Sequence, residues 1–278
     1  MIQYLLRPAK RFVILIPGII IAYISVRDIF PYFDRRLPFA FAILFTYALS
    51  AYILVPAIIR GFRIIRPPDH LPLYCVTPDG FASDPLNIGV MATRRELIRV
   101  MEKSGWHMAD PHRGKYLFKH FLSILLDWPY PNAPVSNLYL FGRKHDLAFE
   151  IPIEGLASRH HVRFWATTFT EKQKLSVRSI HWHHRKAHVR GDNLLWVGAA
   201  SLDTGFAFIR HNMQLTHMIH PDTNAERKLI VKGLKSQDLV RRTEDIKLEE
   251  PYRLVNRAWR GSLHTDGKMT VVRLKKQS

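Results

Sequence analysis

The sequence predicts an α+β soluble domain with a mixed or antiparallel sheet, preceded by an N-terminal transmembrane helical hairpin. Most of the uninterrupted apolar runs fall within the first 66 residues, whereas the rest of the chain alternates between short strand-like and helix-like patterns. Three prolines, Pro67, Pro68 and Pro72, follow the apolar region and indicate a stiff exit from a membrane. We therefore divide the chain into a membrane hairpin over residues 1–66 and a soluble domain over residues 67–278.

Two apolar segments form the predicted hairpin. The segment 37–59 carries no charged residue and would reach roughly 34 Å as a helix, which is enough to cross a hydrocarbon core of about 30 Å. The segment 12–26 is also uncharged but shorter, and it spans only if it continues past Arg27 and Asp28 to about residue 33. A signal peptide is the competing interpretation, but no small-residue cleavage site follows the apolar run. We predict an uncleaved span or a half-buried anchor.

The basic residues beside the two spans bear on orientation. Arg7, Lys10 and Arg11 lie before the first span. Arg60, Arg63 and Arg66 follow the second span, and Arg27, Arg35 and Arg36 lie in the loop between the two spans. This count does not decide the topology, but two of the three clusters share a side if both ends are cytoplasmic. The single cysteine, Cys75, excludes an intrachain disulfide and agrees with a cytosolic domain. We predict a multi-pass membrane protein whose soluble domain is cytoplasmic.

The charge balance points to anionic partners. Of the formal net charge of +18, the residues after position 66 carry +11. The expected partner is a lipid bilayer with anionic headgroups, where each nearby Lys or Arg contributes up to about 1 kcal/mol. Nucleic-acid binding would rest on charge alone, because the sequence has no nucleic-acid-binding motif. We do not expect a nucleic-acid partner.

The soluble domain mixes the two periodicities. Two short strands on either side of residues 143–146 predict a β-hairpin, and Asp266-Gly267 predicts a turn that pairs 268–274 with a neighbouring strand. The predicted strands are 86–91, 138–141, 147–151, 162–167, 194–200 and 268–274, and the predicted helices are 93–103, 115–128 and 222–234.

Four stretches in a fixed order resemble a known family. They are PVSNLYLFGRKHDLAFE (134–150), RHHVRFW (159–165), WVGAASLDTGFAF (196–208) and THMIHPDTNAERKL (216–229). Their order and spacing are similar to those of the LssY C-terminal domain family, which takes its name from a bacterial secretion-linked protein, and the resemblance covers roughly 73–235. It implies association with the bacterial inner membrane and no assigned reaction.

The resemblance does not imply phosphatase chemistry. Family members often carry this domain behind a lipid-phosphatase-like membrane domain, but its PSGH-type motif is absent here and two spans are too few to hold it. The last stretch also departs from the family pattern of paired histidines and further aspartates, since Met218 and His220 stand at two of those places.

The fifteen histidines raise the question of a metal site. His181 and His183 would share one face of a strand, as metal ligands can. The segment 176–190 is equally typical of a solvated basic loop, and neither a cysteine nor a carboxylate at helical spacing supports a site. We predict no metal and no cofactor.

The stretch 184–201 resembles a phospholipase D signature through His184, Lys186 and Asp192, but its spacing is one residue too long and no second copy exists.

The four stretches supply a different set of candidate site residues. Strand ends and turns are where functional polar groups usually lie, and helix starts attract anions. The catalytic candidates are His161, Arg163, Asp203 and His217, and the candidates for an anion site are Arg143, Asp146, Trp165 and Asp222. Arg143 and Asp146 are predicted at a hairpin tip, and His161, Arg163 and Trp165 on one strand face. We expect the residues from the four stretches to converge on one cleft.

Two functions remain open at this stage, and with them whether the protein is an enzyme. The first is a membrane-anchored binding or accessory module at the bacterial envelope, linked to secretion. The alternative is a hydrolase acting on a phosphate- or carboxylate-bearing, lipid-like substrate, with His161 or His217 as the base. A closed pocket that holds Arg143, His161 and Asp203 together would favour the hydrolase, and dispersal of these residues over the surface would favour the module.

Overall fold

The structure is a computed structural model that describes residues 18–58, 71–78, 80–126, 128–153, 158–177, 193–208, 215–255 and 262–275. The chain divides into two units, Met1–Arg66 with Pro78–Gly80, and the rest of the chain. The second unit mixes helices with antiparallel and mixed sheets, so the α+β class is confirmed.

The first unit contains two helices, α1 over residues 18–34 and α2 over Phe39–Ile58. Helix α2 has a mean hydropathy of 2.0, and only 11% of its most apolar stretch is buried. Within the described part of the chain, it is the one helix long and apolar enough to cross a membrane. The described part of α1 reaches roughly 26 Å, and the start of the first predicted span lies outside the described residues. The second arm of a transmembrane hairpin therefore stays a prediction.

The two helices are joined by a polar contact between apolar surfaces. Ser25 Oγ lies 2.6 Å from Ser50 Oγ. Each serine begins a short π-helical stretch, Ser25–Ile29 in α1 and Ser50–Leu54 in α2. Phe33 stacks on Phe45 with 5.6 Å between ring centroids. Each hydroxyl thus has a partner in an apolar environment, where an unpaired hydroxyl would be costly.

The second unit contains fourteen described strands and three described helices. The strands are β1 Tyr74–Val76, β2 Ala82–Pro85, β3 Ile88–Ala92, β4 His107–Met108, β5 Tyr139–Leu140, β6 Arg143–Lys144, β7 Leu147–Pro152, β8 Ser158–Thr170, β9 Leu194–Phe208, β10 Leu215–Ile219, β11 Val240–Lys247, β12 Tyr252–Val255, β13 Ser262–Thr265 and β14 Lys268–Leu274. The helices are α3 Arg94–Lys103, α4 Gly114–Leu125 and α5 Thr223–Ser236.

The main sheet has the order β11-β14-β3-β9-β8-β7-β4, with β10 also paired to β9. All its pairings are antiparallel except that of β14 with β3. A smaller sheet has the order β2-β1-β5-β6, and β12 pairs with β13.

The main sheet is covered on both faces. Alternate residues of β8 enter different apolar clusters: Val162 and Phe164 pack in the cluster that includes residues of α3 and α5, whereas Trp165 packs in the cluster that includes residues of the smaller sheet. The C-terminal unit is therefore layered, with helices on one face of the main sheet and the smaller sheet on the other.

Two of the three described helices of the second unit begin at a side-chain cap. Thr93 caps α3, because its side chain accepts the Glu96 N–H while the Glu96 carboxylate accepts the Thr93 N–H. Asp222 caps α5 by accepting the Asn224 N–H at 2.9 Å.

The predicted hairpin around residues 143–146 is wrong. The chain turns two residues earlier, at Phe141 and Gly142, which both have positive φ, and Arg143 and Lys144 pair back onto β5. Strand β7 instead joins β8 in the main sheet. Arg143 and Asp146 are therefore not at a hairpin tip. A tight turn that needs positive φ at a phenylalanine has no sequence signal, because such turns normally use Asn, Asp or Gly.

The turn at Asp266-Gly267 is present, with Gly267 at φ +70°, but it does not join a hairpin. Strand β13 pairs with β12, whereas β14 enters the main sheet between β11 and β3. A two-residue turn thus connects strands of different sheets.

We expect the full chain to remain in the membrane pellet after alkaline carbonate extraction, because α2 exposes an uncharged apolar surface along its length. A variant carrying Leu44→Arg and Ala48→Arg should be released in part, since each arginine near the helix centre costs about 2.5–3.5 kcal/mol of insertion free energy. Immunoblots of pellet and supernatant provide the measurement. Complete release of the unaltered chain would contradict the membrane assignment.

Candidate functional site

Polar residues from separate parts of the sequence meet at one place on the smaller-sheet face of the main sheet. The register pairs His161 of β8 with Ser201 of β9 and with Glu150 of β7, and it pairs Arg159 with Asp203. Paired residues project to the same face of a sheet. Together with Asp84 of β2 and Arg163 they form what we call the buried charge cluster: Asp84, Glu150, Arg159, His161, Arg163, Ser201 and Asp203.

The imidazole of His161 is at the centre of this cluster. Its Nε2 lies 2.8 Å from Ser201 Oγ and 3.4 Å from Asp84 Oδ2. Its Nδ1 lies 3.4 Å from Asp203 Oδ2, an ion-pair distance that is long for a hydrogen bond. The order serine, histidine and aspartate across the ring is the arrangement of a nucleophilic triad.

Two arginines complete the cluster. Arg163 donates to Asp84 Oδ2 at 3.0 Å, and to the carbonyl and the hydroxyl of Ser136, both at 3.1 Å. Arg159 donates to Glu150 Oε2 at 2.9 Å, and its Nε lies 3.6 Å from Asp203 Oδ2. The guanidinium of Arg163 therefore connects the smaller sheet, through Asp84, to the main sheet.

The electrostatics of the cluster follow from burial and close charges. Burial alone would lower the pKa of His161, but the carboxylates of Asp203 and Asp84 outweigh it and raise that pKa above its ordinary value. Burial would raise the pKa of Asp84, but the hydrogen bond with His161 and the charge of Arg163 lower it. Burial raises the pKa of Glu150 to about 7 against the opposing charge of Arg159.

These shifts bias the protonation states of the cluster. The raised pKa of His161 favours the imidazolium form, in which Nε2–H faces the Ser201 oxygen and donates a hydrogen bond rather than accepting a proton. Access is equally restricted, because Ser201 is 0% exposed and His161 is 2% exposed. Among the described residues, Glu150 Oε1 has no hydrogen-bond partner, which agrees with a carboxyl group that is partly protonated.

The structure brings some predicted site residues together and separates others. His161, Arg163 and Asp203 meet in the buried charge cluster. Trp165 lies farther along the same face of β8 and is fully buried; its Nε1 donates to the Arg143 carbonyl at 3.3 Å. Arg143 itself donates to Asp146 and to the Ala166 carbonyl.

The remaining predicted residues are tied to local structure. Asp146 also accepts the Ala166 N–H at 2.8 Å, and Asp222 caps α5. The backbone of His217 pairs with Phe206, three positions beyond Asp203 along β9, and its side chain lies outside the described residues. The histidines considered for a metal site and the phospholipase-like residues His184, Lys186 and Asp192 lie outside them as well. Within the described ranges, no group of three or more His, Cys, Asp or Glu residues is placed to hold a metal ion.

Sequence reasoning missed four members of the cluster: Asp84, Glu150, Arg159 and Ser201. Glu150, Arg159 and Ser201 stand inside the resembling stretches, and a correct pairing of the three strands would have placed Glu150 and Ser201 beside His161 and Arg159 beside Asp203. Asp84 precedes all four stretches and carried no signal, because its position depends on the packing of one sheet on another.

A second candidate site lies on the opposite side of the main sheet, along α5. A surface depression of about 670 Å³, which we call the lysine groove, is lined by Arg227, Lys228, Lys232, Lys235, Thr243 and Thr270. The three lysines recur at helical spacing and are exposed. None of them forms an ion pair with another described residue. Arg227, in contrast, binds both carboxylate oxygens of Asp266, at 2.9 and 2.7 Å.

The fold and the cluster define an α+β domain in which polar residues of separate strands are buried together. The chain belongs to the LssY C-terminus family, whose pattern matches residues 69–269, so the resemblance noted in the sequence is confirmed. No curated protein and no solved structure matches the chain.

Replacing Arg163 with methionine should lower the free energy of unfolding by about 3–5 kcal/mol, because the change leaves Asp84 buried without its arginine. The double variant Arg163→Met/Asp84→Asn removes both charges and should recover a substantial part of this loss. Thermal or urea unfolding of the detergent-solubilised chain measures both effects. Strictly additive effects of the two single changes would contradict the pairing.

The stability of a Glu150→Gln variant should improve relative to the unaltered chain as pH rises from 5 to 8. A folded-state pKa raised to about 7 means that the protonated carboxyl stabilises the fold at low pH, and that this stabilisation is lost as pH rises through about 7. The expected change in the difference is on the order of 3 kcal/mol, since one pKa unit corresponds to about 1.4 kcal/mol. Melting curves of both proteins at several pH values give the result, and a difference independent of pH would contradict it.

Proposed function

We propose that the chain is a membrane-anchored binding module at the bacterial envelope that binds a phosphate- or carboxylate-bearing ligand in the lysine groove. The observation that carries this proposal is the set of three exposed lysines around one depression, Lys228, Lys232 and Lys235, which form no ion pair with another described residue. An accessory role in a secretion-linked process agrees with the family to which the chain belongs.

The buried charge cluster is a weaker candidate for ligand binding. Its arginines are already bonded to Asp84, Glu150 and Ser136, and a ligand would have to displace these partners. Breaking a buried ion pair costs several kcal/mol, which few ligand contacts would offset. The cluster is better suited to join the smaller sheet to the main sheet.

A ligand in the lysine groove, in contrast, would meet positively charged lysines without having to displace a buried ion pair. The three lysines lie on successive turns of α5 and line one side of the groove. Arg227 lines it as well, but Asp266 balances its charge. Asp245 also lines the groove, where it accepts a hydrogen bond from Thr270 at 2.7 Å. One carboxylate against three lysines leaves a net positive depression, in which an anion gains favourable Coulomb energy.

Membrane anchoring completes the proposal. Helix α2 supports at least one membrane crossing, and a second crossing by the segment 12–33 would place the C-terminal domain on the cytoplasmic side of the bacterial inner membrane. The anionic ligand would then be either a lipid headgroup or a soluble phosphate, because both present the same chemistry to the lysines.

The test compares the full chain in nanodiscs with a variant carrying Lys228→Ala, Lys232→Ala and Lys235→Ala. Binding of inorganic phosphate and of short-chain phosphatidylglycerol should weaken at least about tenfold, since each lysine contributes up to about 1 kcal/mol. The matched control carries the same charge change at exposed sites elsewhere: Lys103→Ala, Lys172→Ala and Lys174→Ala.

The outcomes separate the ligand sources. Loss of phosphatidylglycerol binding alone indicates a headgroup site, and loss of both indicates a general phosphate site. Equal binding by the groove variant, the control variant and the unaltered chain would overturn the proposal.

A hydrolase is the second candidate, favoured by the arrangement of Ser201, His161 and Asp203. In this role Ser201 would attack the substrate and His161 would accept its proton, which requires the neutral imidazole and hence a pH above the raised pKa of His161. Covalent labelling of Ser201 by a fluorophosphonate, abolished in Ser201→Ala and increasing with pH, would establish the hydrolase. The binding-module proposal expects no labelling, because Ser201 is fully buried.

A further inference from the structure

Helix α4 carries an apolar surface that faces solvent. Phe118 is 63% exposed, Phe121 59% and Leu125 65%, and just beyond the helix Trp128 is 60% exposed. The three helical residues are spaced by three and four positions, so they form one stripe along the helix. Leu126 extends this surface and is also exposed. We call these five residues the α4 stripe.

This exposure is abnormal for a helix of a soluble domain. The described side chains of α4 that are half-buried or buried are Tyr116, Leu117, His120, Leu122 and Ser123. An amphipathic surface helix normally directs its large apolar residues toward the core, whereas α4 exposes both of its phenylalanines and Leu125. Each aromatic side chain of the stripe has a surface of about 200 Å², and every residue of the stripe is more than half exposed. The stripe therefore presents on the order of 500 Å² of apolar surface to solvent, which is at the upper end of the patches that monomeric proteins expose.

The surroundings of the stripe are basic. From His112 to Leu126 the chain contains no Asp or Glu, Asp127 is the first acidic residue after it, and Arg113, Lys115 and Lys119 are exposed there. Lys119 Nζ lies 4.1 Å from the centroid of the Tyr130 ring. An apolar stripe with lysine and arginine beside it and a tryptophan at one end is the composition of a helix that lies in a membrane interface.

The covalent structure of the chain supplies an independent reason to expect a bilayer. The described part of helix α2 reaches Ile58, and the described part of the second unit begins at Leu71. The intervening residues can extend to at most about 45 Å. A chain that crosses the membrane at α2 therefore holds the C-terminal unit continuously close to lipid, at a high effective concentration.

We infer that α4 is an interfacial helix that inserts the α4 stripe into the headgroup region of an anionic bilayer, with Arg113, Lys115 and Lys119 against the lipid phosphates. This inference is independent of the lysine groove, since it concerns a different helix and a different surface. It adds a second membrane attachment to the one that α2 supplies.

A second copy of the chain or a partner protein could also cover an apolar stripe. The basic flank disfavours a second copy, because a symmetric contact would bring the same arginine and lysines of two chains together. Anionic lipid, in contrast, neutralises the flank and accepts the apolar residues in one surface. The bilayer is therefore the occupant that matches both chemistries.

The experiment places a nitroxide label on the full chain at Phe121→Cys or at Leu125→Cys, with Glu102→Cys on the exposed side of α3 as the control. Cys75 is fully buried, and the unaltered chain measures any label that it takes up. Each protein is reconstituted into vesicles of phosphatidylcholine with or without phosphatidylglycerol. Power-saturation spectra compare collisions of the label with oxygen, which concentrates in lipid, and with a water-soluble nickel chelate.

In vesicles with phosphatidylglycerol, labels at positions 121 and 125 should collide mainly with oxygen, whereas the label at position 102 should collide mainly with the nickel chelate. Adding Lys115→Glu and Lys119→Glu should return the label at position 121 to the aqueous pattern, because the charge reversal repels the anionic surface. This second variant alters exposed residues only, so it should leave the fold intact.

Three results would overturn the inference. In one, the label at position 121 is as accessible to the nickel chelate as the label at position 102. In another, its spectrum is dipolar-broadened and sharpens on dilution with unlabelled chain, which identifies a second copy as the occupant. In the third, the label is shielded from both reagents without broadening, which identifies a protein partner.

Discussion

The antiparallel pairing of β8 with β9 determines where the polar groups of the C-terminal unit lie. Its register sets His161 opposite Ser201 and Arg159 opposite Asp203, so residues forty positions apart share one face. A slip of one residue would exchange faces along the strand, sending charged side chains into the apolar cluster that holds Val162 and Ala200. Because burying an unpaired charge costs several kcal/mol, the polar residues themselves oppose such a slip. The cluster and the register thus stabilise one another.

Desolvation also explains why the positive and negative charges of the buried charge cluster nearly cancel. The carboxylates of Asp84 and Asp203 face the guanidinium groups of Arg159 and Arg163, the raised pKa of His161 favours its charged form, and Glu150 changes state near neutrality. A buried pair contributes little to net stability compared with apolar residues of similar size, whereas one unpaired member is strongly destabilising. The selective value of such a group is therefore specificity: Asp84 of the smaller sheet finds its partner only where Arg163 emerges from the main sheet.

Part of this arrangement could be predicted from the sequence. The part that could not depends on contacts between residues far apart in the chain. Local signals were sufficient for the α+β class, for helices that start near residues 93 and 222, and for the shared face of His161 and Arg163. They were insufficient for Asp84, whose partner is 79 positions away, and for the turn at Phe141, where tertiary packing imposes a positive φ that the residue itself disfavours. Periodicity places a side chain on a face, but only long-range pairing determines what it meets there.

The distribution of charge links the interior of the domain to its surface. The buried charge cluster is close to neutral, so it contributes little to the net charge of +11 that the C-terminal domain carries. In water, such a surface repels itself, and an apolar stripe beside it has unfavourable contact with solvent. An anionic bilayer relieves both costs at one interface, because phosphates neutralise the lysines while the headgroup region accepts the aromatic rings. The exposed stripe of α4, the exposed lysines of α5 and the apolar length of α2 are three separate departures from a water-soluble surface, and the membrane attachment that we propose would account for all of them.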